Sequence, residues 1–150
     1  MPLLYQIPKM RRKNKALHRN YSFINVNPIA GALGAEIKGV NISRPLKREV
    51  VLEIRQAFLD HLVIVFQNQE LTPQELLAFS RQFGQPMEYP QLKGLPECPM
   101  ITEVIKLESE KLNFGGVWHS DTTYLESPPM GSMLYAVKIP PYGGDTLFAN

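Results

Sequence analysis

The stretch WHSDTTYLESPPMGSMLYAVKIPPYGGDTLFAN, residues 118–150, contains the most informative pattern in the sequence. Near its start an imidazole, His119, and a carboxylate, Asp121, lie two positions apart. On a β-strand, residues i and i+2 point to the same face, with Cα atoms roughly 6.5–7 Å apart. The spacing therefore predicts that both side chains bind one metal ion. Together they provide two ligands of a 2-His-1-carboxylate site, which holds ferrous iron and leaves coordination positions open.

A His-x-Asp pair alone is a weak indication, because a surface strand with a His–Asp hydrogen bond has the same pattern. The flanking residues strengthen the metal interpretation. Gly115-Gly116 allows close backbone approach on one side, and Pro128-Pro129 constrains the chain on the other. The remaining histidines do not compete: His18 lies near the N-terminus, and His61 falls at the end of a predicted helix, where interaction with the helix dipole is common.

The composition is that of one domain with a hydrophobic core. The chain has 150 residues, of which 44% are hydrophobic, and this is enough to bury a core. No apolar run approaches the roughly 18 residues of a membrane span. Cys98 is the only cysteine, which excludes an internal disulfide and favours a reducing compartment. We therefore expect a cytoplasmic protein.

The net charge of +2 hides an asymmetry along the chain. Residues 1–20 carry six Lys and Arg side chains and no acidic one, which leaves a charge of −4 on residues 21–150. We expect residues 1–20 to form a basic, disordered tail and residues 21–150 to form the domain. Because no aromatic residues are interleaved with the basic ones, a solvated tail is favoured over a binding surface. We expect neither a nucleic-acid nor a membrane partner, and the pattern leaves a homo-oligomer open.

Hydrophobic periodicity predicts two helices packed outside a mainly antiparallel β core. The first helix is expected from about Pro45 to His61. The second starts at Thr72-Pro73-Gln74-Glu75, a capping box with proline at the first helical position, and ends at Gly84 in the left-handed conformation. Strands are expected at residues 21–26, 35–40, 62–66, 100–107, around His119, and at 132–139. Residues 62–66 are expected to form a central buried strand, and residues 132–139 another buried strand.

Four segments together resemble a known family. They are AEIKGVNISRP (35–45), HLVIVFQNQ (61–69), LTPQELLAFSRQFG (71–84) and the opening stretch with its WH-x-D, PP-x-G-S and GGDT motifs. Over about residues 30–150, the chain resembles the N-terminal half of the taurine dioxygenase (TauD/TfdA-like) family of Fe(II)/2-oxoglutarate-dependent dioxygenases. The resemblance implies an α+β, mainly β fold: a double-stranded β-helix, or jelly roll, with flanking helices, incomplete in this chain.

The same resemblance implies roles for individual residues. His119 and Asp121 are implied to bind Fe(II), and Thr146 to hydrogen-bond the distal carboxylate of the cosubstrate 2-oxoglutarate. The implied reaction uses O₂ to hydroxylate a small, anionic, taurine- or sulfonate-like metabolite, with release of succinate and CO₂. Where sulfonate-specific relatives have a His and an Asn, this chain has Tyr89 and Gly115. This difference argues against taurine itself and makes Tyr89 a candidate substrate contact.

In the family, a second iron-binding His and an Arg that binds 2-oxoglutarate follow the GGDT motif. Neither can be matched to a residue of this chain. We therefore expect a fragment that binds iron weakly and has no measurable turnover by itself. Two alternatives remain open: a cupin-type metalloenzyme that does not use 2-oxoglutarate, and a non-catalytic truncated paralogue that acts as a binding module.

Overall fold

A computed structural model describes residues 19–112 and 114–150. Its elements are β1 (Asn25–Pro28), β2 (Ala35–Lys38), α1 (Arg48–His61), β3 (Ile64–Val65) and α2 (Pro73–Ser80). The strands form one sheet in the order β1-β2-β3, with β1 antiparallel and β3 parallel to β2. Because parallel neighbours need a crossover connection, α1 links β2 to β3. In the described part of the chain, no helix is long and apolar enough to cross a membrane.

The core lies between this sheet and the two helices. Its buried members are Ile24, Ile37, Ile42, Ile54, Ala57 and Phe79. Ile54 and Ala57 lie three residues apart, on one face of α1, and both are 0% exposed. Phe79 of α2 packs edge-to-face against Phe66 and Phe83, with ring centroids 5.6 and 5.1 Å away. The aromatic contacts thus join α2 to the chain that follows β3.

Two carboxylates of α1 bind the segment that precedes β1 through hydrogen bonds and an ion pair. Glu53 accepts hydrogen bonds from the backbone amides of residues 22–24, at 2.7, 2.8 and 3.2 Å. Asp60 accepts one from the hydroxyl of Tyr21 at 3.1 Å and forms an ion pair with Arg19 at 2.8 Å. Burial, followed by the bond to Asp60, raises the pKa of Tyr21 to about 12. Arg19, placed in the tail by the sequence, is therefore attached to α1, whereas residues 1–18 lie outside the described residues.

Both predicted helices are confirmed, and so is the capping box of α2. The side chain of Thr72 accepts from the backbone N–H of Glu75, and the Glu75 carboxylate accepts from the backbone N–H of Thr72. The predicted end of α2 is wrong, because the helix stops at Ser80 and Gly84 has no positive φ. Tighter turns after the helix satisfy its last carbonyls: Gln82 N–H donates to Phe79 and Phe83 N–H donates to Ser80. A left-handed residue is therefore not needed there.

The strand at residues 35–40 is confirmed as β2, but the first and third strands differ from expectation. β1 starts at Asn25 rather than residue 21, because Glu53 already binds the amides of residues 22–24. The prediction of a central buried strand at residues 62–66 is wrong. Leu62 is the C-cap of α1 at φ +65°, so only Ile64 and Val65 pair with β2, at the edge of the sheet.

The C-terminal strands are also absent from the described residues. No strand forms at residues 100–107, around His119 or at 132–139, and Leu134, Val137 and Ile139 are exposed rather than buried. A strand needs a neighbour for its backbone groups, and these segments have no paired strand in the part of the chain that is described. The helices and sheet agree with an α+β class. The mainly β, mainly antiparallel content does not agree, because the described residues have more helix than strand and the sheet has one antiparallel and one parallel strand pair. The incomplete jelly roll stays a prediction.

Replacing Thr72 by alanine should lower the free energy of unfolding by about 1 kcal/mol. The variant loses the hydroxyl that accepts from the N–H of Glu75 at 3.3 Å, so one amide at the start of α2 has no partner. Thr72→Ser keeps the hydroxyl and should remain close to wild type. Urea denaturation of the three proteins tests the prediction, and an unchanged midpoint for Thr72→Ala would contradict it.

Because of the same capping box, the difference in unfolding free energy between wild type and Thr72→Ala should depend on pH. Hydrogen bonds from the backbone and the side chain of Thr72 lower the pKa of Glu75 below its ordinary value of 4.5. A carboxylate with a lowered pKa in the folded state stabilises the fold above the ordinary pKa, and loses that effect as the pH falls through the lowered value. The stability difference between wild type and Thr72→Ala should therefore shrink in acid below pH 4.5.

Candidate metal centre

His119 and Asp121 converge as the sequence predicts, but on a different backbone. Nε2 of His119 lies 3.1 Å from Oδ1 of Asp121. The segment is a loop rather than a strand, and the chain reverses directly after Asp121. Thr122 adopts φ +44°, and its carbonyl accepts from the N–H of Leu125 at 3.2 Å. A positive φ is unfavourable for a β-branched residue, so this turn stores backbone strain next to the pair.

The imidazole of His119 is held in one orientation. Its Nδ1 lies 2.7 Å from the carbonyl oxygen of Val117. Because a carbonyl can only accept a hydrogen bond, Nδ1 carries the proton and donates it. On one side of the ring, a Cβ built on Gly115 would lie 3.1 Å from Cε1 of His119, and Gly115 itself has φ +68°. The close backbone approach expected at Gly115 is therefore confirmed, and both spacing and φ favour glycine.

With this orientation of the imidazole, a positive charge between His119 and Asp121 would stabilise their contact. With Nδ1 donating to Val117, Nε2 faces the carboxylate either as a second N–H or as a lone pair. Two lone pairs 3.1 Å apart repel each other, so the gap between them suits a proton or a metal cation. The hydrogen bond to Val117, and next the charge of Asp121, raise the pKa of His119 above its ordinary 6.5. A metal ion would displace this proton, since imidazole coordinates only in its neutral form.

The distance between the two donor atoms fits adjacent ligands of one small divalent ion. Metal–ligand bonds of about 2.1 Å at right angles place neighbouring ligand atoms about 3.0 Å apart, and the observed separation is 3.1 Å. Both side chains are 49% exposed, so an ion can reach them from solvent. Within residues 19–112 and 114–150, no group of three His, Cys, Asp or Glu side chains forms a metal site. The described chain thus offers one nitrogen and one oxygen ligand.

Ser132 also belongs to this site. Its Oγ donates a hydrogen bond to the other carboxylate oxygen of Asp121, Oδ2, at 2.6 Å. Sequence reasoning assigned no role to Ser132, although it is the serine of the PP-x-G-S motif. Spacing alone could not find it, because the contact crosses eleven positions through an irregular loop.

The other two candidate residues, Thr146 and Tyr89, do not form hydrogen bonds with His119 or Asp121 in the described residues. Thr146 is exposed and follows Gly143 and Gly144, which have φ +77° and +73°. Tyr89 is half-buried in the loop after α2. Cosubstrate binding by Thr146 and substrate contact by Tyr89 therefore stay predictions.

Known proteins are similar to this chain over most of its length. A family model, "Taurine catabolism dioxygenase TauD, TfdA family", matches residues 25–150. An alpha-ketoglutarate-dependent sulfate ester dioxygenase from Pseudomonas putida is 34% identical over 85% of this chain and 42% of its own length. An alkylsulfatase from Acinetobacter baylyi is 34% identical over 85% of this chain and 39% of its own. The chain therefore spans less than half the length of these relatives.

A solved structure gives a third comparison. A taurine dioxygenase from Burkholderia xenovorans is 35% identical in the aligned region, with a TM-score of 0.49. The alignment covers 52% of this chain and 28% of the solved one.

Proposed function

The chain belongs to the TauD/TfdA family, and from that premise we propose that it supplies metal ligands to an Fe(II)- and 2-oxoglutarate-dependent dioxygenase site. One observation carries the proposal. Within the region that the family model matches, Nε2 of His119 and Oδ1 of Asp121 converge to 3.1 Å, and their orientation suits a proton or a metal cation between them. Iron(II) is proposed because one His and one carboxylate are two of the three ligands of the 2-His-1-carboxylate set, which is typical of non-heme iron oxygenases.

The residues of the chain prepare this site for a metal ion. Val117 and Gly115 fix the imidazole so that Nε2 points toward Asp121. Asp121 contributes the negative charge that offsets part of the charge of a divalent ion. When bound, Fe(II) would supply the oxidative decarboxylation of 2-oxoglutarate by O₂ to succinate and CO₂, coupled to hydroxylation of a substrate C–H bond. Thr146 is proposed to bind the distal carboxylate of 2-oxoglutarate through its hydroxyl.

The proposed substrate is a small organic anion, specifically an alkyl sulfate ester or a related sulfonate. Support comes from two relatives, the alpha-ketoglutarate-dependent sulfate ester dioxygenase and the alkylsulfatase. Tyr89 is the proposed contact to this substrate, through a hydroxyl that can donate to a sulfate oxygen. Gly115 cannot provide a side-chain hydrogen bond, and for this reason taurine is not the substrate we propose.

Thr146 gives the test of cosubstrate use. Calorimetric titration of 2-oxoglutarate, with Mn(II) in place of iron to prevent turnover, should show binding that requires the metal. Thr146→Val should weaken it about tenfold or more, because a hydrogen bond to a charged group contributes about 1.5–3 kcal/mol. Thr146→Ser keeps the hydroxyl and should bind like wild type. Equal affinity in Thr146→Val would contradict the role of Thr146.

The same titration separates the alternatives. A cupin-type metalloenzyme would bind Mn(II) without any added affinity for 2-oxoglutarate. A non-catalytic binding module is favoured by one observation, the lack of a third metal ligand within residues 19–112 and 114–150. It predicts that His119→Ala changes neither metal nor 2-oxoglutarate binding.

A further inference from the structure

We infer that Ser132 is a positioning residue for Asp121, one that holds Oδ2 and leaves Oδ1 to face the metal beside His119. This inference rests on the proposed metal centre. The two oxygens of Asp121 have different partners: Oδ2 accepts from Oγ of Ser132 at 2.6 Å, whereas Oδ1 lies 3.1 Å from Nε2 of His119. A hydroxyl donating to a carboxylate at this distance is a strong, charge-assisted hydrogen bond.

The consequence concerns how many coordination positions Asp121 fills. A free carboxylate can bind an ion through one oxygen or through both. When Ser132 engages Oδ2, Asp121 presents only Oδ1, so the carboxylate fills one position. A second oxygen on the ion would close a position that the proposed reaction needs for cosubstrate or O₂. Ser132 therefore keeps the centre open as well as orienting its ligand.

The position of Ser132 is itself set by the folded core. The preceding residue, Gly131, packs against α1 so closely that a Cβ there would lie 3.0 Å from Cζ of Phe58. Three residues after Ser132, the hydroxyl of Tyr135 accepts from the N–H of Leu71 at 3.2 Å and donates to the carbonyl of Gln69 at 3.3 Å. Ser132 is thus held between two contacts, one to α1 and one to the chain that enters α2.

A metal titration of the 150-residue protein tests this role without any turnover. Trp118 is the only tryptophan, precedes His119 and is 71% exposed, so its fluorescence can report quenching by paramagnetic Co(II). Ser132→Ala should weaken Co(II) binding about tenfold, the lower end of the effect of outer-shell partners on metal affinity. Ser120→Ala deletes an exposed hydroxyl one residue from each ligand and should bind like wild type.

A matched pair of variants separates the hydroxyl from the shape of the side chain. Ser132→Thr and Ser132→Val have nearly the same volume, and only threonine can donate to Oδ2. We expect wild-type affinity for Ser132→Thr and the loss seen in Ser132→Ala for Ser132→Val. At saturating Co(II), the visible absorption of the ion should change in Ser132→Val and be restored in Ser132→Thr, because the number of oxygens bound from Asp121 differs.

The results distinguish this inference from the proposed function. If His119→Ala loses Co(II) binding while Ser132→Val matches Ser132→Thr in affinity and absorption, the role of Ser132 is overturned and the metal centre stands. If His119→Ala binds Co(II) like wild type, the metal centre fails and the inference fails with it. The Thr and Val variants decide the matter even if Ser132→Ala does not fold.

Discussion

Replacing His119 by alanine is expected to abolish the Co(II)-dependent quenching of Trp118. The change removes the nitrogen ligand of the proposed centre and leaves Oδ1 of Asp121. A single exposed carboxylate does not make a specific metal site. Substitution of outer-shell groups alone costs about 10–100-fold in affinity, and loss of a direct ligand should exceed that range. Asp121→Asn should have the same result, since it removes the negative charge at nearly constant volume.

Two controls address the other groups that could bind Co(II). His18→Ala removes a different histidine and should leave quenching unchanged. Asp145→Asn removes a carboxylate from the same C-terminal region and should also leave it unchanged. If quenching in His119→Ala equals that of the wild type, the 3.1 Å contact between His119 and Asp121 is an ordinary His–Asp hydrogen bond and the metal centre is disproved.

The sequence predicted the helices because their signals are local. The capping box at Thr72 and Glu75 spans four positions, and the structure contains each of its hydrogen bonds. The strands depended on contacts distant in sequence. Glu53, about thirty positions along the chain, accepts hydrogen bonds from the backbone N–H groups of residues 22–24. The strand β1 therefore starts at Asn25 and not at residue 21. Hydrophobic periodicity does not indicate that Leu62 is the C-cap of α1, with φ +65°. Because Leu62 is the cap, β3 contains only Ile64 and Val65.

The candidate site shows the same division between local and distant information. His119 and Asp121 were predicted from a two-residue spacing, and their side chains do meet. The predicted strand geometry was wrong, because the chain turns at Thr122 with φ +44°. Ser132 was not found, since its contact with Asp121 depends on how the loop folds back. The hydrogen bonds of Tyr135 to residues 69–71 span more than sixty positions, beyond the reach of any local pattern.

Replacing Ile54 by alanine is expected to lower the free energy of unfolding by about 2–5 kcal/mol. Ile54 is 0% exposed and is the largest fully buried side chain described. It lies on the face of α1 that packs into the core cluster, so its removal leaves a cavity that the sheet and helices cannot easily fill. Leu52→Ala is the matched control on the same helix. Leu52 is 53% exposed, and its substitution should cost about 0.5 kcal/mol or less.

The Ile54→Ala variant also tests whether the metal centre depends on the core. The ordinary stability of a domain is about 5–15 kcal/mol, so the variant should unfold at a clearly lower urea concentration. Because Gly131 packs on Phe58 of α1, and Ser132 next to it holds Asp121, Co(II) quenching of Trp118 should disappear together with the helical circular dichroism signal. The urea midpoint of Co(II) quenching and that of the circular dichroism signal should shift equally in Ile54→Ala. Quenching that survives after α1 has unfolded would show that the His119–Asp121 loop binds metal as an independent peptide, without support from the fold.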